Sequence, residues 1–500
     1  MSPRSTRFVR HLRRVVIALA RFLSNPISGV IVAVGSLLGR FGLADRERTE
    51  RTAELAWPRI VTGIARMSKN AVDVAMVGIA IGPLAIAGVG FAGPFWGLAF
   101  SFGGGVAAGS IALVSQRFGA DRLDAIGGAV RSSVLLAVVL TLPLTALYWL
   151  FPVELLSLLT DNPRTIELGS AYLQIVGLGV PFAALNLVGS RVYIGVDDAW
   201  TPMVIRSAGA LTNVGLNAVF IFVLDMGVVG AALGTVLSNV LVTATFAFGL
   251  VVRQIPGTRQ FPTCISLLGT YADRGTIRDI VEIGLPVAGR NSVWTVAQFP
   301  MLAIVALYGE FVVAAYVIAR RIWGLMNTPG WGFGLAASSL VGQQLGAEDE
   351  DRAAAYGKEI TRLAIGTYLV GGILTALLAE PIVRLFVDDP ANTSIPIAVA
   401  LVYAACLAIV PQAIKATIAG ALDATGDTRW PFYSQALGMV GVAIPLVYLG
   451  AVTPLGMWGL YLSFVAESTI PAAINYYRFA TGKWRAISRE YRPDAQVGDD

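Results

Sequence analysis

The sequence predicts an all-α polytopic membrane protein with 12 transmembrane helices, on the evidence of its composition, its loop charges and an internal repeat. Of its 500 residues, 55% are hydrophobic and only 14% are charged. Soluble domains carry about 25% charged residues, so a soluble globule of this composition would lack polar surface. We therefore expect a chain that is embedded in a lipid bilayer.

Apolar segments recur along the chain and are separated by short polar loops. About 20 apolar residues cross a bilayer as a helix, and the predicted spans are residues 55–79, 84–116, 125–152, 166–190, 201–224, 228–252, 279–308, 312–343, 358–385, 393–420, 431–450 and 455–478. They form two lobes of six helices. The predicted domains are an N-terminal extension (1–54), an N-lobe (55–252), a linker (253–276), a C-lobe (277–480) and a C-terminal tail (481–500).

The N-terminal extension mixes basic and apolar residues. Six arginines precede the apolar run from Ile27 to Leu38. We interpret the extension as an amphipathic helix on the cytoplasmic leaflet, with a disordered basic tail as the alternative. No small-residue cleavage pattern follows the arginines, so a cleaved export signal is not expected.

Basic residues concentrate in alternate loops. The loops after even-numbered spans carry residues such as Arg117, Arg191 and Arg253, whereas loops after odd-numbered spans carry acidic residues such as Asp161 and Asp225. Basic loops face the cytoplasm in membrane proteins. Both termini are therefore expected in the cytoplasm, as parts of a multi-pass protein of the cell membrane.

The second half of the chain repeats landmarks of the first half. The segment from Leu113 to Asp121 (LVSQRFGAD) returns at an offset of 227 residues as LVGQQLGAE, and Pro58 returns as Pro286 at an offset of 228. Six spans per half make the repeats parallel about an axis along the membrane normal. Folds with such repeats usually transport a substrate.

These motifs also carry a family resemblance. The first half contains Trp57-Pro58, Asp73-x-x-Met-Val-Gly78, Gly103-Gly-Gly105 and Val114-Ser-Gln116, and both halves match over roughly residues 50–480. This order resembles the multidrug and toxic compound extrusion (MATE) family of the MOP flippase superfamily. The resemblance implies two six-helix lobes arranged as a V around a central cavity, and transport by alternating access.

Asp73 is the principal candidate for cation coupling. It lies 15 residues beyond Pro58, deep in the first span, where an ionisable group is energetically expensive. In the MATE branch that couples through its N-lobe, an aspartate after this proline is the coupling carboxylate, and Asp73 matches it. The alternative is a structural ion pair with Lys69, one helical turn earlier. Lys69 departs from the family pattern and would compete with a bound cation.

The predicted partners of Asp73 are Asn213, Asn217 and Thr235. Family members often have Asn-x-x-x-Asp in span five, whereas this chain has Asn217 in place of the acid. The two amides lie one turn apart and can face one cavity. Asp73, Asn213 and Asn217 are therefore possible Na⁺ ligands, although an amide cannot take up a proton. Interhelical hydrogen bonds are the alternative role, and the coupling ion, H⁺ or Na⁺, stays open.

The C-lobe carries further polar and aromatic candidates. The cation site of another MATE branch is not expected here, because Trp294 and Gln412 stand where acidic residues would be. A structural ion pair of Arg290 or Lys415 with Glu467 is the favoured interpretation of the charges. Pro58 and Pro286 are predicted to bend their helices, and the candidate substrate-cavity residues are Lys69, Arg290, Asn291, Trp294, Gln298, Gln412 and Lys415.

The predicted function is efflux by a cation-coupled antiporter of amphipathic organic or cationic compounds. The alternative is a flippase for an anionic lipid-linked precursor, since basic residues such as Lys69 and Arg290 lie within the predicted spans. The sequence contains no nucleophile–base set and no metal-ligand cluster, so we expect neither enzymatic activity nor a cofactor. It also contains no GxxxxGK[ST] phosphate loop, so nucleotide-driven transport is not expected. We also expect a monomer, a small-molecule substrate and no nucleic-acid binding.

Overall fold

Helices account for nearly all of the computed structural model, which describes residues 26–386 and 393–491. No strand occurs in these ranges, which agrees with the predicted all-α class. The helices are α1 (Pro26–Arg40), α2 (Arg46–Ile81), α3 (Pro83–Gly119), α4 (Leu123–Leu150), α5 (Pro152–Ser157), α6 (Pro163–Gly177), α7 (Val180–Gly195), α8 (Trp200–Ala218), α9 (Gly227–Val252), α10 (Arg274–Val305), α11 (Glu310–Met326), α12 (Thr328–Gly346), α13 (Glu350–Leu377), α14 (Ala379–Arg384), α15 (Ser394–Leu407), α16 (Ile409–Thr425), α17 (Arg429–Ala436), α18 (Ile444–Val452), α19 (Met457–Ala480) and α20 (Trp484–Glu490).

Between seven and nine helical segments of the described chain are long and apolar enough to cross a membrane. Seven qualify directly, and two bent pairs, α6 with α7 (50°) and α15 with α16 (48°), raise the number to nine. The other predicted spans fall on α2, on α11 with α12, and on α19. Charged residues lower the hydropathy of α2, and a break at Asn327 divides α11 from α12.

The first long helix begins earlier than the sequence predicted. Helix α2 starts at Arg46 rather than near residue 55, because the Asp45 side chain accepts a hydrogen bond (3.1 Å) from the Arg48 backbone N–H and caps the helix. Helix α1 occupies the apolar run of the N-terminal extension and packs on α2, where Gly35 contacts Thr49. The arginine-rich residues 1–25 lie outside the described part of the chain, as does the end of the C-terminal tail.

Prolines in the membrane helices fall at two kinds of position. Helices α2 and α10 run through Pro58 and Pro286 without interruption. The sharp bends lie instead between α6 and α7 and between α15 and α16, close to Pro181 and Pro411. Pro lacks a backbone N–H and cannot continue a preceding helix normally, so a proline at the start of the second helix fits each break.

The two halves share unusual backbone conformations at matching positions. Each half also contains a short π-helical segment, Val219–Val223 after α8 and Leu437–Ala443 after α17. Positive φ angles occur in pairs at the corresponding turns, namely Gly82 (108°) with Gly309 (102°), Asp121 (58°) with Glu348 (61°) and Gly227 (58°) with Gly456 (54°).

The halves meet most closely where α3 crosses α12. Gly119 of α3 lies against the Gln343 backbone, and Gly346 of α12 lies against the Gln116 backbone, so any side chain at either glycine would collide with main-chain atoms. The glutamine side chains add matched bonds across the interface. Gln116 Nε2 donates to the Ala424 carbonyl (2.8 Å), and Gln343 Nε2 donates to the Gly195 carbonyl (3.4 Å).

Near this crossing, the two halves share one apolar core. Farther from the crossing, each half has an apolar core of its own. One buried cluster combines Ile60 and Ile111 of the first half with Phe333 and Leu340 of the second half. Around Met76, at the other end of α2, the buried cluster contains first-half residues alone. The second half has its own cluster, which includes Tyr316, Phe464 and Met301.

The substitution Gly346→Ala should destabilise the protein strongly, because a methyl group there would push two helix backbones apart. We expect a loss of about 3 kcal/mol or more, at or beyond the upper end for overpacking, measured as a lower unfolding midpoint in detergent. Gly128→Ala is the matched control, since a methyl group at Gly128 of α4 contacts nothing within 4 Å. Equal midpoints for the two variants would contradict the proposed role of the crossing.

Candidate coupling and substrate sites

Asp73 lies in a polar network between α2 and α8. Its carboxylate accepts two contacts, one from Lys69 Nζ at 2.8 Å and one from Asn217 Nδ2 at 2.8 Å. The side chains of Lys69 and Asp73 are 18% and 17% exposed. The ion pair is therefore mostly shielded from solvent, and it follows from the spacing of four residues along one helix.

The network continues into α9 through the second predicted amide. Asn213 Nδ2 lies 3.3 Å from both Thr235 Oγ1 and Ser238 Oγ, and Asn213 Oδ1 accepts from Asn217 Nδ2 at 3.4 Å. The structure thus brings together Lys69, Asp73, Asn213, Asn217 and Thr235, which the sequence analysis had selected as coupling and cavity candidates.

One oxygen in this network has no hydrogen-bond donor. Asn217 Oδ1 is buried, and no donor in the described part of the chain reaches it. Buried polar atoms are usually satisfied, so this oxygen can accept a bond from a cation or a proton donor. Gly234 makes the position possible, because the Asn217 amide occupies the space that a side chain at Gly234 would need. In this structure the Asn217 Nδ2 atom faces Asp73, and the Oδ1 atom lies on the other side of the amide, against Gly234.

Glu467 forms a buried ion pair in the second half, but the expected partner, Arg290 or Lys415, was wrong. Arg320 Nη2, not Arg290, pairs with the Glu467 carboxylate at 2.7 Å. Lys415 Nζ reaches only the Glu467 backbone carbonyl, at 3.5 Å. Arg320 also donates to the Tyr316 hydroxyl (2.9 Å) and lies over the Phe464 ring (4.8 Å). These contacts fix the guanidinium beside Glu467.

Arg290 has a carboxylate partner that the sequence analysis did not select. Its Nη1 and Nη2 atoms donate to both oxygens of Asp423, at 3.1 and 2.8 Å. Such bidentate pairs are strong and directional. Asp423 lies near the end of α16, and nothing in the sequence marked it as a partner of Arg290. The pair becomes visible only when α10 and α16 are seen together in the structure.

The remaining predicted cavity residues lie in different places. Trp294 and Gln298 line an apolar cavity of about 550 Å³ together with Pro94 of α3. Asn291 faces Gly104 at the contact of α10 with α3. Gln412 is buried and bonds to Asn327 Oδ1 (2.5 Å) and to the Ser468 hydroxyl (3.1 Å). Trp294 also contacts the Glu467 side chain, and Lys415 lies within electrostatic range of both Glu467 and Arg290.

The first half contains a group of arginines that the sequence analysis did not recognise as a unit. Arg59 and Arg66 of α2 lie near Arg191 of α7 and Arg206 of α8, within range of mutual repulsion. We call these four residues the arginine cluster. The signal in the sequence was the spacing of seven residues that separates Arg59, Arg66 and Asp73, which places all three on one face of a helix.

Comparison with known proteins identifies the family. The MatE family model matches residues 58–219 and residues 286–449, which together exceed half of the chain. The chain belongs to the MatE family. It is therefore a transporter and not an enzyme, and the resemblance found in the sequence is confirmed. The two matched ranges begin at Pro58 and at Pro286, the prolines that the internal repeat aligns.

Individual relatives and a solved structure agree with this family. The probable multidrug resistance protein YoeA of Bacillus subtilis is 23% identical over 438 residues, which cover 85% of this chain and 92% of YoeA. The multidrug resistance protein PmpM of Pseudomonas aeruginosa is 28% identical over 476 residues, 91% of this chain and 97% of PmpM.

The solved structure is that of a MOP superfamily transporter from Pyrococcus furiosus. It superimposes with a TM-score of 0.81 at 20% identity, over 93% of this chain and 99% of that chain. The reverse polarity of its binding pocket has been taken to suggest a different function for that protein. At this identity, the similarity establishes the fold of the MatE chain.

The substitution Glu467→Gln should destabilise the second half, because it leaves the Arg320 guanidinium buried without its counter-charge. Removing one partner of a buried ion pair costs about 3–5 kcal/mol, so we expect a clear drop in the unfolding midpoint. Glu380→Gln is the control, because Glu380 pairs with Arg384 at the surface (2.7 Å) and exposed pairs contribute about 0–1 kcal/mol. If both substitutions lower the unfolding midpoint by the same small amount, the Glu467 pair contributes no more to stability than an exposed ion pair.

Proposed function

We propose that the chain is a cation-coupled antiporter that exports amphipathic organic, often cationic, compounds from the cell by alternating access. The observation that carries this proposal is the Asp73 network, in which a carboxylate within a membrane helix is held by one ammonium and one amide. The multidrug resistance names of YoeA and PmpM support the substrate class.

A cation can act on this network by displacing Lys69. The ammonium occupies Asp73 Oδ2, so a proton or Na⁺ that binds the carboxylate competes directly with it. Neutralising Asp73 also weakens its charge-assisted hydrogen bond with Asn217. Because that bond joins α2 to α8, cation binding changes the balance between two positions of α2.

The coupling ion decides which atoms participate. A proton can reside only on Asp73, because Asn213 and Asn217 do not titrate. Na⁺ can also use Asn217 Oδ1, which has no hydrogen-bond donor, once the amide rotates to turn this oxygen toward Asp73. Both ions are compatible with the donor set, and separate gradients distinguish them experimentally.

Alternating access requires two lobes that open at one end at a time. We infer twelve spans in two six-helix lobes that form a V around a central cavity, open on the side away from the α3–α12 crossing. The paired turn conformations, the twice-matched family model and the divided apolar clusters support this arrangement. We place the crossing and both termini on the cytoplasmic side of the cell membrane, and we propose that the transporter acts as a monomer.

The flippase alternative loses the basic residues that first suggested it. Lys69, Arg290 and Arg320 each have a carboxylate partner in the structure, at 2.7–2.8 Å. Paired cations of this kind attract an anionic cargo weakly. The arginine cluster has no such partner in the described chain, so the preference for the efflux antiporter rests on the multidrug resistance names of YoeA and PmpM.

Export should depend on the Asp73 carboxylate. In proteoliposomes that contain a fluorescent cationic dye, Asp73→Asn should abolish gradient-driven transport, because the amide can neither bind a proton nor exchange it with Lys69. Proton and Na⁺ gradients are imposed separately, so the gradient that drives the wild-type chain identifies the ion.

Glu310→Gln serves as the matched control for this experiment, because Glu310 is an exposed carboxylate at the start of α11. Wild-type transport by Asp73→Asn, with the protein correctly folded, would assign Asp73 to a structural pair with Lys69 and reject its coupling role.

The inferred topology predicts the accessibility of the two native cysteines. Cys264 is exposed in the linker and Cys406 is half-buried in α15. With Cys406→Ser present, a membrane-impermeant maleimide should label Cys264 only after the cells are permeabilised. An added Asp161→Cys in a background without native cysteines should be labelled in intact cells. The reverse pattern would invert the topology.

A further inference from the structure

The arginine cluster has no anionic partner among the described residues. None of the salt bridges or hydrogen bonds found in residues 26–386 and 393–491 involves Arg59, Arg66, Arg191 or Arg206. Arg59 is only 6% exposed, and its Nε and Nη1 atoms lack acceptors, as do Nη1 of Arg191 and Nη1 of Arg206. Four guanidinium groups therefore share one region without a counter-charge.

This arrangement is expensive unless something neutralises it. A buried charge without a partner costs several kcal/mol, and like charges within a few ångströms repel each other strongly where water is excluded. The carboxylates of α2 on either side of the cluster do not relieve the cost, because Glu54 pairs with Arg259 and Asp73 is bonded to Lys69 and Asn217.

Aromatic rings from both halves surround the cluster. Trp331 of α12 lies 4.6 Å from the Arg66 guanidinium and 5.9 Å from that of Arg59, measured to a ring centroid. Phe100 of α3 lies 5.3 Å from Arg66 on another side. Gly63 allows this approach, because a side chain there would collide with Thr328 and touch the Trp331 ring. The cluster thus has an apolar, aromatic border at the contact between the halves.

We propose that the arginine cluster is a binding site for the anionic group, a carboxylate or a phosphate, of an organic acid whose apolar part packs against Trp331 and Phe100. Guanidinium groups bind such oxyanions through paired, planar hydrogen bonds, and the N–H groups of Arg59, Arg191 and Arg206 that lack an acceptor can donate them. Helices α2, α7 and α8 contribute the charges, and α12 contributes the aromatic ring.

The site deepens the proposed function, because its role in transport rests on the chain being an exporter, whereas anion binding itself requires no gradient. It adds organic anions to the substrate class that the Asp73 network favours. Since α2 carries both Arg66 and Asp73, separated by seven residues or about 10 Å along the helix, the two sites are distinct in space.

Binding can be measured by thermal unfolding of the full chain in an uncharged detergent. A ligand that binds only the folded protein raises the unfolding midpoint, and the rise grows with the ratio of ligand concentration to Kd. The probes are 1-naphthoate, dodecyl phosphate and inorganic phosphate, with 1-naphthylmethylammonium as the cationic counterpart of naphthoate. We expect naphthoate or dodecyl phosphate to stabilise the wild-type chain and the ammonium compound not to do so.

The substitutions Arg66→Gln and Arg206→Gln test the residues of the site. Each should raise the half-saturating concentration of the anion at least tenfold. Without an anion, each should unfold at or above the wild-type midpoint, because removing one charge relieves repulsion. Arg321→Gln is the control, because Arg321 is an exposed arginine on α11 and should leave both quantities unchanged.

Several outcomes would overturn the proposal. They are equal stabilisation by the ammonium compound, no stabilisation by any anionic probe, and wild-type affinity in both glutamine variants. Lower anion-free midpoints in those variants would make the arginines structural. If the glutamine variants fail to fold, Arg206→Lys replaces them, because lysine keeps the charge but lacks the planar pair of guanidinium donors. Wild-type affinity in that variant would also reject the site.

The probes separate the two sources of the anion. Stabilisation by dodecyl phosphate alone assigns the site to a lipid headgroup, whereas stabilisation by naphthoate assigns it to a soluble organic acid. Asp73→Asn should retain anion binding. If the wild-type chain binds the anion but does not transport the dye, only the antiporter proposal is rejected. If it transports the dye but binds no anion, only the anion site is rejected.

Discussion

The rest of the structure depends on the close crossing of α3 and α12, where two glycines let helix backbones touch. Gly119 and Gly346 lie against main-chain atoms of Gln343 and Gln116, so the halves cannot approach in this way with any other residue. The glutamine side chains then bond to carbonyls at the ends of the opposite half's bent spans. The contact between the halves continues along α3, where Gly105 and Gly109 lie against the backbone of α10.

The halves are similar in backbone and different in electrostatics. Paired positive φ angles and paired π-helical segments give both the same turns. In the second half, Arg290 and Arg320 each have a carboxylate within hydrogen-bond distance. The first half has one such pair at membrane depth, Lys69 with Asp73, next to the arginine cluster, which has no counter-charge in the described chain. Both proposed ligand sites therefore take their charged groups from the first half.

Much of this arrangement follows from the sequence, because it depends on helix periodicity. The Lys69–Asp73 pair follows from a spacing of four, and Asn213 and Asn217 share a face for the same reason. Contacts between helices were less predictable. The pairing of Arg290 with Asp423 depends on how α10 lies against α16, and the pairing of Arg320 with Glu467 depends on how α11 lies against α19. The arginine cluster contains residues from three helices. Neither hydropathy nor motif spacing predicts which arginines of different helices lie close together.

Helix α2 connects these features, since its charged face touches both halves. Asp73 bonds to Asn217 within the first half, and the Arg66 guanidinium stacks on Trp331 of the second half. Neutralising Asp73 weakens the first attachment and frees the ammonium of Lys69, one turn from Arg66. The contact with Trp331 does not depend on the charge of Asp73. Under the proposed mechanism, a cation at Asp73 shifts the balance of forces on α2 away from its own half, and α2 transmits that shift to its contact with α12. The placement of opposite charges along one face thus links ion binding to the relative position of the halves.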